Sequence, residues 1–122
     1  MIKRVLSGAV VGALAATSLV LTAAPASASG SITSWDNGAS VTFTSYGEVL
    51  KVCDIKPDGH SAVGMLTWEA VETYTYWNPD GNDSCRTWNL SFAEGDQISF
   101  AACTGEYASG LISSCNWRDD TA

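Results

Sequence analysis

Three stretches hold the side chains with chemical reach. Asp58-Gly59-His60-Ser61 brings a carboxylate, the one histidine of the chain and a hydroxyl together, the ingredients of a hydrolytic triad. A triad, however, holds its histidine between a carboxylate and a nucleophile that meet from distant parts of the chain. Lys56-Pro57-Asp58-Gly59 has turn composition instead, which makes His60 the start of the strand that follows. There is no Gly-x-Ser-x-Gly elbow and no Cys–His nucleophile pair.

The second stretch is acidic. Asp80 with Asp83, or Glu69 with Glu72, are the carboxylate pairs to try for sugar hydrolysis. That chemistry needs a cleft fixing two carboxylates at a set separation and raising the pKa of one. A thin two-layer domain rarely supplies one, and these residues fall in turns or on outward strand positions, so no enzyme activity is expected. Asp80-Gly81-Asn82-Asp83-Ser84 also concentrates oxygen donors. Calcium takes about six to eight of them, and the distal glutamate of an EF-hand loop is missing. Asn78-Pro79-Asp80-Gly81 is a strong turn sequence in its own right, so neither a metal nor another cofactor is expected.

The third stretch, TYTYWNPDGNDSCRTWNL from Thr73 to Leu90, sets Tyr74, Tyr76, Trp77 and Trp88 on either side of that turn. Alternation gives Trp68, Tyr74 and Tyr76 one parity and Trp77 the other. Trp88 keeps company with Leu90 and Phe92, which places it in the core. Tyr74, Tyr76 and Trp77, beside Asp80 and Asp83, are the rings expected to be partly exposed. They form a candidate binding strip for a protein partner or for stacking on sugar rings.

The cysteines and the ends of the chain set the context for that strip. Met1-Ile2-Lys3-Arg4 precedes an uncharged apolar run from Val5 to Ala24 that closes on Ala26-Ser27-Ala28, the order of a secretory signal peptide. Cleavage after Ala28 leaves residues 29–122. That domain keeps four basic and all thirteen acidic residues, a net charge of −9. Such a surface disfavours nucleic acid and anionic lipid, keeps an exported protein soluble and suits a cation or a basic partner. Cys53, Cys85, Cys103 and Cys115, an even set in a small exported domain, predict two disulfides. Three pairings are open. If Ala108-Ser109-Gly110 is a hairpin tip, Cys103 and Cys115 fall opposite each other, which favours that bond and leaves Cys53 with Cys85.

Period-two patterning with β-branched and aromatic residues, and no helical stripe, predicts an all-β fold. The expectation is a single small antiparallel β-sandwich of about seven strands, stapled by the two disulfides. The strands read as Ser40–Ser45, Glu48–Asp54, Ala62–Val71, Thr73–Trp77, Arg86–Phe92, Gln97–Thr104 and Leu111–Trp117. Cys85 and Cys103 are out of step with their apolar neighbours, which puts them at strand ends or bulges. A domain this size buries only about 60–65% of its unfolded surface, so the staples have a clear purpose.

Ala93 to Cys103, Ala-Glu-Gly-Asp-Gln-Ile-Ser-Phe-Ala-Ala-Cys, resembles the approach to the second core cysteine of immunoglobulin domains, where an aromatic residue precedes the cysteine by two. Here the spacing from Phe100 is three. The resemblance implies a generic sandwich and no immunoglobulin function. An Ala-rich export signal before a small, acidic, Trp- and Gly-rich domain with two expected disulfides is similar in style to small secreted proteins of actinobacteria, a resemblance that implies no activity. Function is therefore expected to be binding of an extracellular protein, inhibition of a hydrolase included, with binding of a polysaccharide by the 73–90 hairpin as the alternative.

Overall fold

β-branched and aromatic residues at alternate positions give eight strands in the computed structural model, which describes residues 29–122. The signal peptide expected at residues 1–28 lies outside the described residues. In chain order the strands are β1 (Ser29–Thr33), β2 (Ala39–Thr44), β3 (Val49–Asp54), β4 (Ser61–Trp68), β5 (Glu72–Asn78), β6 (Cys85–Asn89), β7 (Gln97–Glu106) and β8 (Leu111–Thr121). They form two four-stranded antiparallel sheets, ordered β1-β2-β3-β6 and β5-β4-β7-β8. The described residues contain no helix.

The strand beyond the seven expected is β1. Ser29-Gly30-Ser31-Ile32-Thr33 has a single large apolar residue, so it shows no alternation, and it is an edge strand held by pairing with β2. Ala62–Val71 also overran its strand. The chain turns at Trp68-Glu69-Ala70-Val71, with Val71 N–H donating to the Trp68 carbonyl at 2.9 Å.

The larger correction concerns Thr73 to Leu90. The segment is not a hairpin, because β5 lies at the edge of one sheet and β6 at the edge of the other. The turn between them is a crossover held by Asn78, which is fully buried. Its Nδ2 donates to the carbonyls of Val52 at 3.2 Å and Ser84 at 3.0 Å, and its Oδ1 accepts from Asp80 N–H at 3.1 Å. An unpaired amide there would cost about 1–3 kcal/mol, so Asn78 fixes the path between sheets.

The core is the layer between the two sheets. Val41, Phe43, Leu50 and Val52 of the first sheet meet Ala62, Leu66, Ile98, Phe100 and Ala102 of the second. Gly64 lets them close, since a Cβ there would stand 2.6 Å from Val52 Cγ2. Cys53 joins Cys85 and Cys103 joins Cys115. Each bond links neighbouring strands of one sheet, unlike the inter-sheet bond of immunoglobulin domains. Cys85 opens β6. Cys103 faces a β-bulge, because Ser114 and Cys115 of β8 together oppose it, with Ser114 at φ +58°.

Candidate functional site

The strip Tyr74, Tyr76, Trp77, Asp80 and Asp83 does not come together. Tyr76 points inward, where its ring packs 5.2 Å from that of Trp88, and burial pushes its phenol pKa up. Trp77 points to the opposite face of the sheet and meets Tyr107 edge-on at 5.4 Å. Asp80 spends both oxygens on Arg86, at 2.7 and 3.0 Å, and that guanidinium holds its carboxyl below the usual range. Asp83 is a turn residue at φ +67° whose N–H donates to the Asp54 carbonyl at 2.8 Å. Tyr74 stands at the open edge of β5, 39% exposed, and donates its hydroxyl to Glu72 Oε1 at 2.5 Å.

The remaining chemical candidates are tied into local structure. His60 is exposed and contacts the Glu106 carboxylate through Nδ1, while Asp58 accepts the His60 backbone N–H at 3.0 Å as a turn cap. Glu69 accepts Gln97 N–H at 2.8 Å. Among the described residues, no three His, Cys, Asp or Glu side chains are grouped closely enough to hold a metal ion.

What the fold does assemble is the outward face of the β5-β4-β7-β8 sheet. Paired residues across antiparallel strands share a face, so the register defines three rows. Trp77, Val63 and Cys103 form one, Thr75, Met65, Ala101 and Trp117 the next, and Thr73, Thr67, Ser99 and Asp119 the last. Asp119 is the one charge in these rows, and it accepts the Ser99 hydroxyl at 2.6 Å. Val63, Ala101 and Cys103 are fully buried although they point away from the core, because Met65, Trp77, Ile112 and Cys115 pack over them.

Trp77 reaches that position because residue 105 is glycine. A Cβ there would stand 2.5 Å from the Leu111 carbonyl oxygen and 3.0 Å from Trp77 Cη2. Around this layer Trp117 is 43%, Tyr107 60% and Leu111 69% exposed. The other sheet is the contrast. Its outward rows, such as Ser31, Thr42, Lys51 and Thr87, are hydroxyl-rich and charged.

Of the residues on the apolar face, Trp77 was singled out in the sequence while Met65, Tyr107, Ile112 and Trp117 were not. The available signal was Trp77 itself, whose parity opposes that of Tyr74 and Tyr76. The face becomes visible only when the strand order puts β8 beside β7 and β5 beside β4. Comparison with protein-family models, with curated proteins and with solved structures finds no match to this chain.

Proposed function

We propose that this chain is a secreted, non-catalytic interaction protein that binds an extracellular protein partner through the outward face of the β5-β4-β7-β8 sheet. One observation carries the reading. In a domain with four basic and thirteen acidic residues, one sheet face is almost free of charge and is covered by Trp77, Met65, Ile112 and Trp117. Aromatic and methionine enrichment with charge depletion is the composition of a protein interface at its centre, and Trp117, 43% exposed beside partly exposed Met65, Trp77 and Ile112, brings that composition to the surface. The paired disulfides fit an oxidising, extracellular setting.

In its inhibitory form, the reading places the turn between Glu106 and Leu111 in a hydrolase cleft. That turn is anchored by Cys103–Cys115 and offers Tyr107 and Leu111. A stiff loop loses little entropy on binding. Sugar stacking needs Tyr74, Tyr76 and Trp77 side by side, and their divergence removes the platform for that alternative.

The test compares three oxidised proteins against the secreted fraction: wild type, Trp117→Asp, and Thr87→Asp on the polar face as control. All three are first matched by near-ultraviolet circular dichroism. The partner should bind wild type and Thr87→Asp alike and bind Trp117→Asp about 30-fold more weakly, as for an aromatic hot spot. Equal retention by Trp117→Asp would remove this face as the site.

A further inference from the structure

A second site lies at the far end of the sandwich from the disulfides. A cleft of ≈ 290 Å³ opens where the chain after β6 crosses over the edge of the second sheet, lined by Trp68, Tyr74, Ser91, Phe92, Ala93 and Asp96. Three of its walls are aromatic. Trp68 and Phe92 are stacked, with centroids 6.5 Å apart and planes 16° from parallel, and Tyr74 stands beside them.

The ring donors of this cleft are already committed. Trp68 Nε1–H donates to Asp96 Oδ2 at 2.8 Å, and Tyr74 O–H donates to Glu72 Oε1 at 2.5 Å. Asp96 Oδ2 also accepts Ala93 N–H at 3.1 Å. What the cleft presents is therefore π faces, carboxylate oxygens and a single hydroxyl, that of Ser91. Neither Asp96 nor Glu72 is in an ion pair among the described residues. The described arginines are engaged elsewhere, Arg86 on Asp80 and Arg118 on the Ser31 carbonyl and above the Phe100 ring.

Complementarity follows from that inventory. A sugar ring carries several hydroxyls that ask for donors as well as acceptors, and with the ring donors spent the lining side chains keep only the Ser91 hydroxyl to meet them. A cation with an apolar skin needs neither. It is drawn by the ring quadrupoles and by the field of an acidic cleft. The volume lies at the small end of ligand pockets, about 300–1,000 Å³, which suits a head group better than an oligosaccharide. We propose that the cleft lined by Trp68, Tyr74, Phe92 and Asp96 binds an alkylated ammonium group of the kind carried by choline-type small molecules. The site is separate from the apolar sheet face and stands whether or not that face binds a protein.

The test titrates the oxidised protein with choline chloride at low salt, reading tryptophan fluorescence and amide chemical shifts. Parallel titrations use the uncharged isostere 3,3-dimethylbutan-1-ol and the disaccharide cellobiose. Choline should saturate, with the shifts centred on Trp68, Tyr74 and Phe92, and the isostere should bind about tenfold more weakly. Tyr74→Ala, a half-exposed position, should weaken choline binding about fivefold. Glu72→Gln keeps an acceptor for the Tyr74 hydroxyl and removes only charge, so it should weaken choline binding and leave the isostere unchanged. Trp117→Asp should leave choline binding unaffected, which separates this site from the protein-binding face. Equal affinity for the isostere would overturn the proposal, as would saturation by cellobiose without choline, or no saturable response to choline.

Discussion

Two carboxylates at the disulfide end titrate in opposite directions. Burial alone would raise Asp36, but its oxygens accept the Thr104 hydroxyl at 2.5 Å, the Ser34 hydroxyl at 2.7 Å and Gly38 N–H at 3.1 Å, and the net effect lowers its pKa below 3.8. Asp54 is raised above 3.8. Burial is its main cause, offset in part by a bond from Lys56 N–H and reinforced by the charges of Asp58 and Asp83. A lowered carboxyl contributes stability above its unfolded pKa and loses it as pH falls through the folded value. For a raised one, the contribution is present below the unfolded pKa and is lost as pH rises through the folded value. Asp36→Asn should therefore cost about 1–2 kcal/mol near neutrality, the deficit shrinking at about pH 3. Asp54→Asn should stabilise near neutrality and lose that gain at the same acid pH. Urea unfolding of both variants at the two pH values checks the opposite signs.

At the scale of elements, the turn joining β4 to β5 is the least typical piece of local structure. Glu69 and Ala70 stand at φ +51° and +57°, and the bond from Val71 N–H back to Trp68 completes a type I′ geometry that usually calls for Asn-Gly. An L-residue in that region costs about 1–2 kcal/mol. Glu69 is held there because its N–H donates to the Gln97 carbonyl and its carboxylate accepts the Gln97 N–H, both at 2.8 Å. No comparable bond holds Ala70 among the hydrogen bonds described. Ala70→Gly should raise stability by about 0.5–1 kcal/mol after the added chain entropy of glycine, read as a higher Tm. The same turn shows where sequence reasoning stops. With no Gly, Asn or Pro at its centre, Glu69-Ala70-Val71 reads as continuing strand. The parity of Tyr76 against Trp77 was legible, because alternation is local and the turn lies outside it.

For the whole molecule, the sandwich and its cysteine pairing were accessible from pattern and count, whereas which strands share a sheet was not. Asn78 to Ser84 looks like a hairpin turn in sequence, yet a buried asparagine turns it into a crossover. That crossover sends β6 to the other sheet, while alternation along β5 parts Tyr76 from Trp77 and the pairing of β5, β4, β7 and β8 builds the apolar face. Both disulfides sit toward the end where β3 stops and β8 starts, closing sequence separations of 32 and 12 residues. Chain entropy makes the longer closure worth about 4 kcal/mol and the shorter about 3. Replacing Cys53 and Cys85 by serine should thus lower stability more than replacing Cys103 and Cys115, measured by denaturant unfolding. Equal losses would place the stabilisation in local packing.

The bulge at Ser114 has a further effect. β8 is the longest strand and an open edge of its sheet, the kind of border on which a second chain can dock its backbone and begin a fibre. The bulge kinks that border at one end, and Arg118, Asp119 and Asp120 line the other with charge. Kinks and charges are the means by which natural sheets block edge-to-edge polymerisation. The molecule can thus display tryptophan and methionine across one sheet face while the margin of that sheet resists amyloid growth.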